Sequence, residues 1–308
     1  MVNKQFGKIA VILGGTSRER EISLRSGEAI YQALRRIGLD AYKLDAANGV
    51  LSEIRKRKMD IAFLALHGKG GEDGTIQKIL GRYRIPYIGS DPKASEVCFN
   101  KVKAKRRFIR FGIPTPRYSV LTRKNWKKII EGWVPPYVIK PVDEGSSIGV
   151  SFVYDIRERA RVIRSTLQKY PVLLVEQMIE GREFTVGILG QRSLSVIELQ
   201  PKRKFYDFKA KYTKGLTDYL IPAPIDKRLE KKLKVLALRA HHALGLRHLS
   251  RVDFRLDFEN QPYVLEVNSI PGFTETSLLP KAARAIGIDF AHLCLSLLNM
   301  ANKRSSKK

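Results

Sequence analysis

The chain has 308 residues, of which 44% are hydrophobic and 28% charged, which excludes a fully disordered protein and predicts a globular chain of about two domains. No apolar run approaches the roughly 20 residues of a membrane-spanning helix, and the N-terminus lacks a signal-peptide core, so we expect a cytoplasmic protein without membrane contact. The two cysteines, Cys98 and Cys294, are too few for a disulfide framework or a cysteine-based zinc site.

The net charge of +27 raises nucleic acid, or another polyanion, as a partner. However, the basic residues are spread along the whole chain. The two denser clusters, at 101–110 and 202–214, also contain motifs that favour other roles. The charge pattern therefore argues against nucleic-acid binding as the main function, and it is equally compatible with a small anion such as ATP.

The first ninety residues alternate between strand and helix patterns. A buried strand at 8–13 ends in Gly14-Gly15, a helix follows at 23–36, and a second buried strand at 61–66 again leads into a glycine-rich loop. This order predicts a parallel α/β sheet whose loops collect at the carboxyl ends of the strands.

The rest of the chain mixes helices and strands less regularly. In the middle we predict helices at 101–111 and 156–170 and strands at 137–140, 148–154 and 172–177. In the last third we predict strands at 184–189, 251–258 and 262–268, a helix at 229–244, a terminal helix, and an irregular stretch at 201–224. The whole pattern predicts one α/β lobe followed by two α+β lobes, with clefts where the lobes meet.

The late pair of strands carries the most informative pattern. On the first strand Val252, Phe254, Leu256 and Phe258 share one face, and Asp253 lies on the other. On the second strand we expect Leu265 and Val267 to face the core, so that Glu266 and Asn268 point the opposite way. A hairpin that turns near 259–260 places Asp253 roughly opposite Glu266, which gathers three oxygen-bearing side chains in one patch.

Two interpretations of this patch remain open from the pattern alone. Adjacent carboxylates repel each other unless a cation lies nearby, and an all-oxygen set without histidine or cysteine suits Mg²⁺. Alternatively, the patch is an ordinary polar sheet face on which Asp253 forms an ion pair with Arg251 or Arg255.

Three glycine-rich segments, at 14–21, 66–74 and 143–149, follow or connect predicted strands. None of them has the G-x-G-x-x-G pattern of a dinucleotide site, which argues against an NAD-dependent oxidoreductase. The third is neither a Walker A loop nor a G-x-S-x-G motif, so Ser146 is not readily a hydrolase nucleophile. Backbone amides in such loops can hold a phosphate or a carboxylate, although a tight turn explains any one of them equally well.

Six segments occur together in an order that resembles the D-alanine–D-alanine ligase family of the ATP-grasp superfamily, from Ile9 to about Phe290. They are the three glycine-rich segments, Phe205-Tyr-Asp-Phe-Lys-Ala-Lys-Tyr212, Arg251-Val-Asp253, and the run from Glu266 to Leu278. The resemblance implies an ATP-grasp fold with a Rossmann-like N-terminal domain (1–92), a central lobe (93–178), and a C-terminal lobe (179–308) with a flexible loop at 202–222.

The resemblance also implies a reaction. ATP phosphorylates the carboxylate of one D-alanine, the amine of a second attacks the acyl phosphate, and the dipeptide serves peptidoglycan synthesis. By similarity, Glu19 binds the ammonium of the first D-alanine and joins Ser146 and Tyr212 in a hydrogen-bonded triad that orders the 202–222 loop. Arg251 and the backbone N–H of Gly272 match the donors that stabilise the developing oxyanion.

Further site residues follow from the same similarity. For amino-acid binding they are His67 and Glu72 beside the second D-alanine, and Ser277 and Leu278 around its carboxylate. The residues implied to contact the ATP phosphates are Lys101, Lys140 and Lys211, and Lys211 is also implied to contact the substrate. The adenine is received by Glu176, Gln177, Met178 and Ile179, and the ribose by Glu183. The implied ligands of two Mg²⁺ (or Mn²⁺) ions are Asp253, Glu266 and Asn268.

The chain departs from the family pattern at two motif positions. Asn100 stands where the family commonly has aspartate before the lysine, and Lys209 replaces an acidic loop residue. The family further implies a homodimer formed through the N-terminal lobe. The alternative activities are ligation of D-alanine to D-lactate or D-serine, another ATP-grasp carboxylate–amine ligation, and nucleic-acid binding on a degenerate ligase scaffold.

Overall fold

The computed structural model describes residues 5–202 and 215–302, whose strands form three sheets. Tyr212, Lys211 and Lys209, which the motifs single out, lie outside these residues. Within the described ranges, no helix combines the length and the apolar composition needed to cross a lipid bilayer.

The N-terminal sheet is parallel, with the strand order β2-β1-β3, as the alternating sequence pattern predicts. Its elements and the following helix are β1 (Ile9–Leu13), α1 (Arg20–Arg36), β2 (Ala41–Asp45), α2 (Val50–Arg57), β3 (Ile61–Leu64), α3 (Thr75–Arg82) and α4 (Pro92–Phe99). The helix α1 starts three residues before the predicted start, since the first turn carries polar side chains that the apolar periodicity does not register.

The middle sheet is antiparallel, with the order β4-β7-β5-β6. The elements here are α5 (Lys101–Arg110), β4 (Tyr118–Thr122), α6 (Trp126–Ile130), β5 (Tyr137–Pro141), β6 (Ser151–Val153), α7 (Arg159–Lys169) and β7 (Val172–Gln177). The prediction of a strand from residue 148 was wrong at its beginning. Gly149 has a φ of 73°, a left-handed conformation that keeps the chain out of the sheet until residue 151.

The last sheet is antiparallel and has the order β10-β9-β8-β11-β12. The elements are β8 (Arg182–Leu189), β9 (Arg192–Pro201), β10 (Thr217–Leu220), α8 (Lys227–Ala243), β11 (Leu249–Leu256), β12 (Pro262–Asn268), α9 (Leu278–Arg284) and α10 (Phe290–Asn302). The interpretation of 201–224 as wholly irregular was wrong, because β10 lies inside it. This four-residue strand is ordered by its pairing with β9 rather than by an apolar pattern of its own.

The β11–β12 hairpin has the predicted register, with Asp253 opposite Glu266. Two expectations about its faces were wrong. A β-bulge after Asp253 shifts the pairing, so that Val264 faces the core while Leu265 is only half-buried and lines a cleft. Phe258 lies beyond the end of β11 and is exposed, because the strand ends at Leu256.

The first and last parts of the chain share one hydrophobic core. Ile9 and Val11 of β1 and Leu34 of α1 belong to the same buried cluster as Leu293 and Leu297 of α10. This packing buries apolar surface that neither segment could bury alone, and it fixes the N-terminal sheet against the C-terminal part of the molecule. The domain boundaries at 92 and 178 stay a prediction.

A buried histidine makes the stability of the fold depend on pH. His241 on α8 is fully buried, its Nδ1 lies 2.7 Å from the Ser250 hydroxyl, and burial lowers the pKa of this side chain to about 4, with His242 and His248 adding repulsion. In the unfolded chain the pKa is near the ordinary 6.5. The unfolded state therefore takes up the proton first as pH falls below 6.5, and the folded state loses relative stability until pH 4.

We expect the free energy of unfolding to fall by about 3 kcal/mol between pH 6.5 and pH 4 through this group. Urea unfolding at several pH values measures it, with His241→Asn compared with wild type. The matched control is His292→Asn, because the His292 side chain is 74% exposed. If His241→Asn and wild type lose stability equally over this range, the buried histidine does not carry the effect.

Candidate active site

Two adjoining clefts lie where the three sheets approach each other. One has a volume of about 440 Å³ and opens between the middle and last sheets, and the other, of about 330 Å³, is lined by residues of all three regions. The two clefts share Lys101, Glu144 and Glu266. Because the clefts adjoin at these three residues, a group bound in one cleft would lie next to a group bound in the other.

The larger cleft is floored by a buried ionic cluster. Glu176 at the end of β7 forms ion pairs with Lys140 of β5 and Lys105 of α5. Burial disfavours the charged form of each group. The attraction of the two lysines nevertheless keeps the pKa of Glu176 below the usual value of a glutamate. In the same way, the attraction of Glu176 keeps the pKa of Lys140 above the usual value of a lysine. Lys140, which lines the cleft, offers its ammonium group to an anionic ligand.

The other predicted nucleotide residues line the same cleft. Gln177, Met178 and Ile179 continue from β7 along its rim. The Glu183 carboxylate lies 3.5 Å from the Arg255 guanidinium. At the boundary between the clefts, the Lys101 ammonium donates to the Glu144 carbonyl at 2.5 Å and lies 3.7 Å from the Glu266 carboxylate.

The hairpin places the three predicted metal ligands along the same wall. Arg251 Nε and Nη2 donate to the two oxygens of Asp253 at 2.8 and 2.7 Å, and the Thr185 hydroxyl donates to Asp253 Oδ1 at 2.6 Å. The Asn268 side-chain oxygen accepts from the Ile270 amide at 3.0 Å. The ion pair between Asp253 and Arg251 is the one that the polar-face interpretation expects.

The donor set also fits a hard divalent cation. Asp253 and Glu266 border the larger cleft, Glu266 and Asn268 border the smaller one, and all three side chains carry the oxygen atoms that such a cation prefers. No group of three or more histidine, cysteine, aspartate or glutamate side chains suited to a metal occurs in residues 5–202 and 215–302. This set contains only two such residues, because its third member is the amide of Asn268. The metal site therefore stays a prediction.

Glu19 lies at the far end of the smaller cleft and is almost completely buried. Its Oε1 accepts a hydrogen bond from the Ser146 hydroxyl. Its Oε2 is flanked by Gly68 and Gly145, since a Cβ atom on either residue would lie within 2.9 and 2.8 Å of that oxygen, respectively. Two of the glycine-rich segments are thus needed so that backbone can approach this carboxylate.

His67 and Glu72 form the side of the smaller cleft near α1. His67 Nδ1 lies 3.9 Å from Glu72 Oε1, and His67 Nε2 lies 3.3 Å from the Ser26 hydroxyl. Burial raises the pKa of Glu72, although His67 partly opposes the shift. The pair offers hydrogen-bonding groups to a small polar ligand.

The opposite side comes from the segment between β12 and α9. The Ser277 hydroxyl accepts from the Thr274 amide at 3.0 Å, and Ser277 immediately precedes the first residue of α9, Leu278. Gly272 lies so near that its Cβ would be 3.3 Å from the Ser277 hydroxyl. The structure thus brings together around the two clefts all predicted site residues except Tyr212 and Lys211, which lie outside the described residues.

Lys105 is the residue that the sequence analysis missed. It is 1% exposed, and its ammonium donates to the Thr115 hydroxyl at 2.6 Å besides pairing with Glu176. Its position one helical turn after Lys101, beside the buried Val102 and Phe108, is the signal that could have found it. Burial lowers the pKa of Lys105.

Comparisons with known proteins agree on one family. Residues 41–90 match the family described as D-ala D-ala ligase N-terminus, and residues 108–299 match D-ala D-ala ligase C-terminus. The chain is 46% identical over 296 residues to the D-alanine–D-alanine ligase of Methylacidiphilum infernorum, covering 96% of each chain. It is 45% identical over 302 residues to that of Syntrophotalea carbinolica, covering 97% of this chain and 98% of the relative.

Solved structures give the same result. The D-alanine–D-alanine ligase of Bacillus anthracis superposes with a TM-score of 0.85 at 33% identity, over 97% of this chain and 98% of that one. A structure of the same ligase complexed with ATP gives 0.83 at 31% identity, with the same coverage. The VanG D-Ala:D-Ser ligase of Enterococcus faecalis gives 0.83 at 30% identity, over 96% of this chain and all of that one.

Proposed function

This chain belongs to the D-alanine–D-alanine ligase family, and from that premise we propose that it joins two D-alanine molecules with ATP through an acyl phosphate. The observation that carries the proposal is the pair of adjoining clefts. The larger cleft has the ion pairs of Glu176 at its floor, and the smaller cleft contains the buried carboxylates of Glu19 and Glu72. The two clefts meet at Lys101 and Glu266. This arrangement suits the transfer of a phosphoryl group to an amino acid's carboxylate.

The larger cleft would bind ATP. The segment from Glu176 to Ile179 would receive the adenine, Glu183 the ribose hydroxyls, and Lys101 and Lys140 the phosphates. Asp253, Glu266 and Asn268 would hold two Mg²⁺ (or Mn²⁺) ions at the boundary. Bound there, the ions would neutralise phosphate charge during in-line transfer.

The smaller cleft would bind the amino acids. Glu19, positioned by Ser146, would accept the ammonium of the first D-alanine, and His67 and Glu72 would border the second, whose carboxylate would lie at Ser277 and Leu278. The Arg251 guanidinium and the Gly272 N–H would donate to the oxyanion that forms when the amine attacks. Tyr212, joined to Glu19 and Ser146, would order the 202–222 loop over the site and exclude water, and Lys211 of the same loop would contact the ATP phosphates.

The family further supports a cytoplasmic homodimer whose dipeptide product serves peptidoglycan synthesis. Light scattering of the purified chain would give the mass of the assembly. A mass of about 35 kDa instead of twice that value would remove the homodimer from the proposal.

A coupled ADP-release assay tests the activity directly. With ATP, Mg²⁺ and D-alanine, we expect ADP release that depends on D-alanine and yields D-alanyl-D-alanine. Nucleotide binding without turnover of D-alanine, combined with turnover of another amino acid, would contradict the substrate assignment while leaving the ligase chemistry in place.

The second candidate activity is ligation of D-alanine to D-serine or D-lactate, and the similarity to the VanG D-Ala:D-Ser ligase favours D-serine of these two. Tyr212 argues against D-lactate alone, because its hydroxyl, paired with Ser146 in the implied triad, suits an amine nucleophile, whereas D-lactate attacks through a hydroxyl; the competition assay decides between D-alanine and D-serine. We expect wild type to form D-alanyl-D-alanine as the main product in competition with D-serine and D-lactate. Tyr212→Phe should raise the ratio of ester to amide, and an unchanged ratio would contradict the role of Tyr212.

A further inference from the structure

The loop at 143–149, hereafter the serine loop, contacts the N-terminal lobe at two points, and a third contact lies beside it. Ser146 binds Glu19, Asp143 Oδ2 lies 3.0 Å from the Lys69 ammonium, and Arg18 Nη1 donates at 3.3 Å to the hydroxyl of Tyr170, which packs beside the loop. Lys69 belongs to the glycine-rich segment that also carries His67 and Gly68. The ion pair therefore connects two loops that both border the amino-acid cleft.

The serine loop has a backbone that needs outside support. Ser146 and Ser147 have φ angles of 48° and 61°, in a left-handed region that residues with a side chain adopt at a cost. At its far end, a Cβ on Gly149 would lie 2.7 Å from Pro141 and 2.9 Å from Tyr170, so this end is held by packing. At its other end, Ser146 and the backbone of Gly145 approach Glu19, Asp143 pairs with Lys69, and the Glu144 carbonyl accepts from Lys101.

The pair is electrostatically matched. The hydrogen bond to Asp143 raises the pKa of Lys69, and Glu144 adds attraction. The two side chains are 58% and 49% exposed, so the interaction is screened by water and salt. Such a pair biases a loop between closed and open positions without locking it.

We infer that Lys69 and Asp143 are positioning residues that hold the serine loop closed over the first amino-acid site, so that Ser146 meets Glu19. The inference rests on the proposed function only for the identity of the amino acid. The pair lies on the loops at 66–74 and 143–149, whereas the side chains proposed to hold the metal ions and the oxyanion lie on β11 and β12. Its loss should therefore weaken occupancy of the first site and leave the chemical step nearly unchanged.

Steady-state kinetics of Lys69→Gln and Asp143→Asn test the inference. At saturating ATP we expect the KM for the first D-alanine to rise about two- to fivefold, the range that an exposed ion pair supports, with kcat changed less. In about 1 M NaCl, where the Debye length is about 3 Å, wild type should approach the variants. The reversed pair, Lys69→Asp with Asp143→Lys, should recover most of the loss.

The matched control is Lys43→Gln, because Lys43 forms a 2.8 Å ion pair with Glu28 at similar exposure, 45% for both side chains, away from the reaction centre. We expect it to keep both KM values. If Lys69→Gln behaves like Lys43→Gln, or if the reversed pair is as impaired as the single variants, the inference is wrong.

Hydrogen exchange separates this inference from the proposed activity, because it needs no turnover. In Lys69→Gln the amides of 143–149 should exchange faster than in wild type and in Lys43→Gln. Equal exchange in the three proteins would overturn the inference even in an active ligase. Faster exchange in a protein that does not use D-alanine would support the ion-pair role and contradict only the substrate.

Discussion

Glu266→Gln is expected to lower kcat by about a thousandfold or more while the protein keeps its fold. Glu266 borders both clefts and lies 3.7 Å from the Lys101 ammonium. In the proposed function, the phosphate of ATP and the carboxylate of the amino acid meet there. Stabilisation of transferring phosphoryl charge at such a site is worth several kcal/mol, and about 4 kcal/mol corresponds to a thousandfold change in rate. The ADP-release assay at saturating substrates measures the loss.

The matched control for this experiment is Glu259→Gln, which makes the same charge change at an exposed position in the turn of the same hairpin. We expect it to keep full activity. Glu266 is half-buried and lines the two clefts, so the melting temperatures of both variants should stay close to that of wild type. Substantial activity in Glu266→Gln would remove the metal-ligand assignment.

Arg251→Gln is expected to lower kcat by about a hundred- to a thousandfold, the effect of removing one preorganised oxyanion donor. The guanidinium is fixed by its two hydrogen bonds to Asp253, and it lines the smaller cleft together with Gly272. Its fixed position means that donation to the developing charge needs little reorganisation. The KM values for D-alanine should change much less than kcat.

Arg251→Lys separates charge from geometry. Lysine keeps the positive charge but loses the planar fork, so we expect it to recover only part of kcat. Arg157→Gln, at an exposed arginine whose partner is also an aspartate, provides the surface control and should be fully active. If Arg251→Gln raised KM and left kcat unchanged, the residue would serve substrate binding instead of the oxyanion.

The position of the candidate site could be predicted from the sequence to a large extent. The alternation of Val252, Asp253 and Phe254 determines which face of β11 is buried, because side chains alternate along a strand. The turn near 259–260 then sets Asp253 opposite Glu266, and the structure has this register. The ordered motifs identified the family because each of them depends on short-range spacing.

Other features depended on pairings between distant segments, which no local pattern records. The bulge after Asp253 turned Leu265 toward the cleft, because one extra residue reverses the face of a strand. The strand β10 exists through its ladder with β9. The carboxylate of Glu176 gives the buried Lys105 of helix α5 an ion-pair partner, but the two residues are far apart in the chain.

The sequence by itself thus determined the fold class, the family and most side chains around the two clefts, because strand alternation, helix periodicity and motif spacing are local properties of the chain. Only the tertiary structure decided how these side chains pair. The contacts of Lys105 with Glu176, of Ser146 with Glu19, and of Lys69 with Asp143 each join separate elements. They form because burial of apolar side chains packs those elements together and so brings the polar groups within hydrogen-bonding distance of each other.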